Sequence, residues 1–415
     1  MTSPTADAAT AADGTAAGAT VARLASGDRA VAAAHAVAEQ VRAGAVARDR
    51  EHALPHAELE LLRRSGLLAL SVPAEHGGVG ASHVVIAEVF RILAAADPAF
   101  VQIVQPHVAF VDAVRRFGTP AQQAFFFGEA VAGRRFGNAL SERGTKHARD
   151  YRTRLTRDPA GGWRLNGAKY YSTGALGADW IAVFAAKDDG ELVFAYVPGD
   201  APGVAVDQDW TAFGQRSTLS GTTTLDEVHV PDEHVLDYGL APAAPRPTIS
   251  GAFPQLQHAA IDVGIARGAL EDGIAFVRTR ARPWPDAEVE RAADEQATQL
   301  HYGRLTTLVH AAEQLLRRAA ELMDVARDEG GEAAVTAARL GVAEAKAFGG
   351  EVALEVATAI FESAGSSGVD AKHGLDRHWR NARTHTLHDP NRWKYIHVGN
   401  FVLNGVAPSA TNHVI

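Results

Sequence analysis

Residues 380–395 read RNARTHTLHDPNRWKY. With Arg377 just upstream, Arg380, Arg383, Arg392 and Lys394 set five cations against a single carboxylate, Asp389, in a chain whose net charge is −9. Arg377, Arg380 and Arg383 recur at every third residue, so on a helix they share one broad face. Pro390 disfavours helix at Asp389, and the helix is expected to end about there. Two readings of this run stand on residue type alone. One is a solvated, salt-bridged helix end whose arginines complement the macrodipole. The other is an anion site, because guanidinium binds phosphate through paired, directional hydrogen bonds. His385 and His388 could also ligate a metal, but no HExxH-like partner exists elsewhere in the chain, so no metal is expected.

Upstream of this run the helical period is strong. Leu305, Val309, Ala312, Leu316, Ala319 and Met323 keep 3/4 spacing, and a second long helix is predicted near residues 332–364. Helices of this length with one apolar stripe pack as a bundle. Before them the period changes to that of strands. WRLNGAKYYST, DWIAVFAA, ELVFAYVP and TTTLDEVHVP are short, β-branched and aromatic, and are divided by Gly, Pro and Asp turns. Earlier still, Ala-rich amphipathic stretches are broken by SVPAEHGGVGAS (71–82), Asp97-Pro98 and Gly118-Thr119-Pro120. The first break lacks the G-x-G-x-x-G spacing and any surrounding βαβ unit, so it reads as a turn between helices and not as a dinucleotide loop. The expected division is a disordered tail over 1–20, a helical domain over 21–136, a β-domain over 137–247 and a helical bundle over 248–415.

Bulk properties narrow the function. A 415-residue chain with 47% hydrophobic and 21% charged residues is globular and long enough for two or three packed regions. Its acidity argues against general nucleic-acid binding. No cysteine is present, which removes disulfides, thiolate nucleophiles and cysteine-ligated metal or iron–sulfur centres. The N-terminal stretch lacks the basic and apolar regions of a secretory signal, and no apolar run reaches the ~18 residues of a membrane span. A cytoplasmic protein is expected.

Helices, then strands, then a helical bundle is an α+β layout that resembles the acyl-CoA dehydrogenase fold. PAEHGGVG, FGTPAQQAFFFGEAVAG, WRLNGAKYYSTG and GTTTLDEVHVP carry that resemblance along most of the chain. KYYSTGALGADWI, TRARPWP and RHWRNARTHTLHDPNRWKY are more specific. They resemble the two-component, reduced-flavin-dependent monooxygenase branch, which includes the dibenzothiophene and sulfone monooxygenases. The resemblance implies an N-terminal helical domain, a small central β-barrel or sandwich, a C-terminal four-helix bundle and a homotetramer. It also implies reduced FMN as cofactor, with FAD the variant form, and O₂ as co-substrate. A separate NAD(P)H-dependent flavin reductase would supply the flavin, because the chain carries no NAD(P)H-binding signature. The implied chemistry is formation of a flavin C4a-hydroperoxide and oxygenation of a thiophene-, sulfide- or indole-type aromatic.

The same resemblance assigns roles. Arg380, Arg383, Arg282 and Ser366 (in AGSSG, 364–368) would bind the flavin, Arg282 reaching that of a neighbouring subunit. His388 stands where dehydrogenases often carry a proton-abstracting carboxylate. The alternative carboxylate position, early in the first helix of the C-terminal domain, also looks empty, since no Asp or Glu lies between Tyr238 and Ile261. A neutral imidazole can donate one hydrogen bond and accept another, which suits holding or protonating a peroxide. Asn138 and Ser172 would face the flavin ring, and His385 reads as a core or supporting histidine. Gln102, Pro106, His107, Tyr170 and Trp210 would shape the substrate pocket. Sulfur-oxidising relatives carry His and Tyr where Gln102 and Pro106 align, which leaves the substrate open. Asp389 keeps alive a rival, an acyl-CoA dehydrogenase or nitroalkane-oxidase-like flavoenzyme, since a one-residue shift in register would restore a carboxylate. A non-catalytic helical scaffold is the other rival.

Overall fold

The computed structural model describes residues 20–146, 150–238 and 248–409. The expected N-terminal tail falls almost wholly outside them. The first helices are α1 (Gly27–Glu51), α2 (His56–Ser65), α3 (His83–Ala96), α4 (Pro98–Phe117) and α5 (Pro120–Val131). The breaks at Asp97-Pro98 and Gly118-Thr119-Pro120 are helix starts. Asp97 caps α4 by accepting from the Ala99 and Phe100 amides with Pro98 at the first turn. Thr119 and Gln122 form a reciprocal capping box at α5.

Among the described residues eight strands follow: β1 (Phe136–Ala139), β2 (Arg154–Arg157), β3 (Trp163–Lys169), β4 (Trp180–Lys187), β5 (Leu192–Pro198), β6 (Val204–Val206), β7 (Thr223–Val230) and β8 (Val235–Asp237). They form one mixed sheet in the order β6-β7-β3-β2-β4-β5-β8, with β1 paired parallel to β4. The run WIAVFAA is apolar at every position because β4 is covered on both faces. Trp180, Ala182 and Phe184 join the cluster under α4 and α5, while Ile181, Val183 and Ala185 join the apolar interior of the sheet.

The chain then returns to helices: α6 (Ala252–Thr279), α7 (Gln296–Glu329), α8 (Glu332–Ala364), α9 (Asp376–His385) and α10 (Asn391–Asn404). The stripe on α7 is buried as its spacing requires, from Leu305 through Met323. Three of these helices are long, and α10 is a half-length fourth. The helical core is continuous across the sequence: Phe90 and Phe100 from the N-terminal helices pack in one cluster with Leu256, Val309 and Val356. Helix α9 stops at His385, four residues before Asp389, so His388 lies in the turn into α10. Among the described residues, no helix is long and apolar enough to cross a membrane.

Candidate active site

A cavity of about 940 Å³ opens where α4, the β-domain and the α9–α10 turn meet. Asn138 of β1, Gln102 and Gln105 of α4, Gln215, Thr384, His385 and His388 are among its polar groups. Tyr151, Phe184, Phe194, Trp210 and Tyr238 supply much of its apolar wall. Among the described lining residues there is no Asp or Glu. Several buried polar atoms around it lack partners among the described residues: Gln102 Oε1, Asn138 Oδ1, Gln215 Nε2 and Oε1, Thr384 Oγ1, and Ser172 Oγ just behind the wall. Buried polar groups are rarely left unpaired without a ligand to serve.

The segment between β6 and β7 forms one side. Gln215 and Leu219 adopt positive φ, as does Tyr171 across from them, and such backbone strain clusters at binding sites. A hydroxyl chain stiffens this side: Thr173 Oγ1 to Ser220 Oγ at 2.7 Å, Ser220 to Thr218 at 2.9 Å, and Thr218 to the Gln215 carbonyl at 2.8 Å. The segment is tied to α9, with the Gln215 amide donating to Asn381 Oδ1 at 2.6 Å. A Cβ on Gly214 would lie 2.0 Å from the Arg380 carbonyl oxygen, so only glycine permits this approach.

The basic island is largely paired. Arg377 binds Asp272 at 2.6 Å, and Lys394 pairs with Asp389. Arg380 bonds to Asp49 of α1 at 2.5 Å, to Asp376 at 2.7 Å and to the Phe213 carbonyl at 3.1 Å, so it joins three parts of the fold. The salt-bridged reading thus describes these three side chains. Arg383 is half-buried and forms no ion pair among the described residues; Arg282 is exposed just past α6, and Ser366 is exposed after α8. None of the three lines the cavity.

Of the pocket residues expected from sequence, Gln102, Trp210, Asn138 and His388 line the cavity. Pro106 is buried inside α4, where it removes the hydrogen bond that would satisfy the Gln102 carbonyl. Tyr170 is displaced by its neighbour Tyr171: it lies beneath the Arg143 guanidinium at 4.0 Å while Tyr171 faces the cavity. Ser172 is fully buried, and Thr173 takes the lining position.

His107 is a core histidine. Its Nδ1 accepts from the Phe136 amide at 3.1 Å, so Nε2 carries the proton and donates to the Leu68 carbonyl at 2.6 Å. Burial pushes this imidazole down to about 4, against the pull of the Leu68 carbonyl. The unfolded chain takes up a proton near pH 6.5 that the fold refuses until about 4. Stability from this group is therefore complete above about pH 6.5 and is lost as pH falls toward 4, by about 3 kcal/mol in all. His107→Gln keeps one donor and one acceptor but does not titrate. In urea unfolding at pH 7, 5 and 4, its stability deficit relative to the native chain should shrink with acidity. Parallel pH curves would show that His107 carries no such linkage.

The deepest part of the site was not legible as function. His385 Nδ1 lies 2.5 Å from Asp262 Oδ1, and Lys346 Nζ lies 2.6 Å from Asp262 Oδ2, both pairs inaccessible to solvent. His258 Nδ1 meets His385 Nε2 at 3.1 Å, and the His258 and His388 rings are 4.1 Å apart, tilted by 33°. His388 Nδ1 in turn reaches Asp389 Oδ1 at 3.2 Å. The carboxylate-free interval read from sequence stops one residue short of Asp262. The available signal was His258 and Asp262, four apart and so on one face of a largely apolar stretch, where polar groups need partners. Burial pushes the Asp262 carboxyl upward, but Lys346 and His385 outweigh it and keep it ionised. Burial likewise opposes ionisation of Asp389, and the His388 hydrogen bond with the Lys346 and Lys394 charges overcomes it. Both carboxylates are held by cations and neither lines the cavity, so neither is placed as a proton-abstracting base. Among the described residues no cluster of three or more His, Asp or Glu is arranged to hold a metal.

The N-terminal, middle and C-terminal domains of acyl-CoA dehydrogenases match residues 29–134, 138–228 and 256–393 in order. Dibenzothiophene monooxygenase of Rhodococcus erythropolis is 36% identical, over 91% of this chain and 94% of that protein. A probable FMNH2-dependent monooxygenase, SfnC, of Pseudomonas putida is 32% identical over 92% and 96%. TdsC of Paenibacillus sp. A11-2, solved with FMN and indole, superposes with a TM-score of 0.87 at 31% identity, covering 92% of this chain and 99% of that one. With all three domains matched and these identities nearly full-length, the chain belongs to the acyl-CoA dehydrogenase family, on the branch it shares with the dibenzothiophene monooxygenases.

Proposed function

We propose that this protein is an FMNH₂-dependent monooxygenase that oxygenates a flat aromatic heterocycle of the indole or thiophene type. The observation that carries this reading is a large cavity with two histidines and an asparagine at its polar end and no carboxylate among its described lining residues. A dehydrogenase needs a base there to take an α-proton; this cavity offers imidazole instead. The orphaned Asn138, Gln215 and Thr384 atoms suit the heteroatom-rich edge of a flavin. Reduced FMN, when bound, supplies the electrons that activate O₂. Asn138 holds the ring, Ser172 supports the wall behind it, His388 holds or gives a proton, and the aromatic wall excludes water and orients the substrate.

Arg383 and Ser366 lie on the phosphate side of this reading, and Arg282 acts in trans, on the flavin of a neighbouring subunit. Exposed apolar side chains on α10, among them Trp393, Ile396, Val402 and Leu403, support assembly of a homotetramer. A separate NAD(P)H-dependent reductase supplies the flavin, and the cytoplasm is the compartment that provides its reductant. Arg282→Ala is expected to weaken FMN binding about 10–100-fold, the worth of one charge-assisted hydrogen-bond pair. Quenching of FMN fluorescence measures it, and unchanged affinity removes Arg282 from the site.

The test of the whole reading supplies FMN, NADH, a flavin reductase and ¹⁸O₂ with a panel of indoles and dibenzothiophenes. One labelled oxygen in the product supports it. Tightly held FAD that is bleached anaerobically by an acyl thioester would overturn it.

A further inference from the structure

Two Lys–Asp–His chains stand side by side at the polar end of the cavity. Lys346 (α8), Asp262 (α6) and His385 (α9) form one; Lys394 (α10), Asp389 and His388 (the α9–α10 turn) form the other. His258 of α6 bridges them, hydrogen-bonded to His385 and packed at a tilt against the His388 ring. Gly350 of α8 makes room for this arrangement, since a Cβ there would meet Asn391 Nδ2 at 2.7 Å and Thr386 Cγ2 at 3.1 Å.

The hydrogen-bond directions follow from the ion pairs. Asp262 is ionised beside Lys346 and accepts, so His385 carries its proton on Nδ1. A neutral His385 then has a bare Nε2 and must accept from His258 Nδ1–H. His258 is left with no second ring proton. Burial drives both imidazoles toward neutrality; His258 is further opposed by His388, His385 and the two lysines, and His385 is opposed by Lys346 and His388 but supported by Asp262. A second cationic ring 4.1 Å from a protonated His388 would be repelled, and His258 is itself buried away from screening water. By the same logic Asp389 fixes the Nδ1 proton of His388, leaving Nε2 as the nitrogen that can exchange a proton with the cavity.

We infer that Asp262 is a positioning residue: through His385 and His258 it fixes one hydrogen-bond direction and so reserves the cluster's single mobile proton for His388. This rests on the reading of His388 as the proton-handling residue of the cavity. Asp262→Asn reverses the chain. Lys346 claims the amide oxygen, the amide nitrogen donates to His385 Nδ1, and both His385 and His258 must exchange tautomers. Removing that lysine in Asp262→Asn/Lys346→Met frees the amide oxygen to accept from His385 again.

The test uses full-length protein labelled with ¹⁵N-histidine, with and without FMN. In flavin-free Asp262→Asn, the His385 proton should move from Nδ1 to Nε2. In the complete reductase assay, the share of O₂ use that yields product should fall about tenfold or more, the balance becoming H₂O₂. The double variant should restore the tautomer and most of the product yield, which a merely structural role would not produce, since it removes two packed polar groups instead of one. A reversed tautomer with undiminished yield, or a double variant no better than the single one, overturns the inference. If Asp262→Asn does not fold, His258→Phe keeps the ring volume and cuts the chain. It should lose product yield to the same extent while binding FMN normally, and native yield in that variant overturns the inference. Full turnover in a His388 variant would instead defeat the reading of His388, leaving the tautomer result intact.

Discussion

His388→Ala is expected to lower product formation about 10²–10⁴-fold, the usual contribution of one positioned proton donor or acceptor. FMN affinity should change little, because the cavity's other polar groups are untouched. Reduced flavin would still consume O₂, so the loss should appear as H₂O₂ in place of product. The side chain is placed for this role by three features together. It borders the cavity, its Nδ1 is engaged by Asp389, and its ring is backed by His258 at 4.1 Å. Product and peroxide measured in one assay decide the matter: unaltered yield in the alanine variant removes His388 from the chemistry.

Lys346→Met is expected to destabilise the fold by about 3–5 kcal/mol, because it leaves the buried Asp262 carboxylate without its counter-charge. Both partners are wholly inaccessible to solvent, so water cannot replace the ammonium. The pH signature is specific. Without Lys346 the folded protein must take up a proton on Asp262 or His385 that the unfolded chain lacks at neutral pH. Folding then binds protons, and the deficit should be greatest near pH 7 and shrink on acidification. Urea titrations at pH 7 and pH 5 measure this, with Arg317→Met as control, since that arginine pairs with exposed Glu321 one turn away and should cost about 0.5 kcal/mol or less. Equal effects of the two substitutions would show that the buried pair contributes nothing beyond a surface one.

Arg380 shows why the basic island reads differently in one dimension and in three. Cations flank it in sequence, but besides Asp376, four residues before it, its partners are Asp49, 331 residues away, and the Phe213 carbonyl, 167 residues away. The same distance in sequence hides Asp262 and Lys346 behind His385. Tyr170 and Ser172 show the limit on a finer scale. The segment KYYST carries the right residue types, yet a positive φ at Tyr171 exchanges which side chains face the cavity.

The sequence by itself determined the order of helices, strands and helices, the span of α8, the apolar stripe of α7 and the presence of strand β4. Each of these is a local periodicity, set by how a single element must bury one face or both. It also determined that Asn138 and His388 belong to one site, through the motifs that carry them. Only the tertiary structure decided that Arg380 and Lys394 are neutralised, that His107 belongs to the core, and that Asp262, His258 and Lys346 stand behind the cavity. Those outcomes depend on which charges meet after distant segments pack, and pairing across the fold leaves no period in the chain.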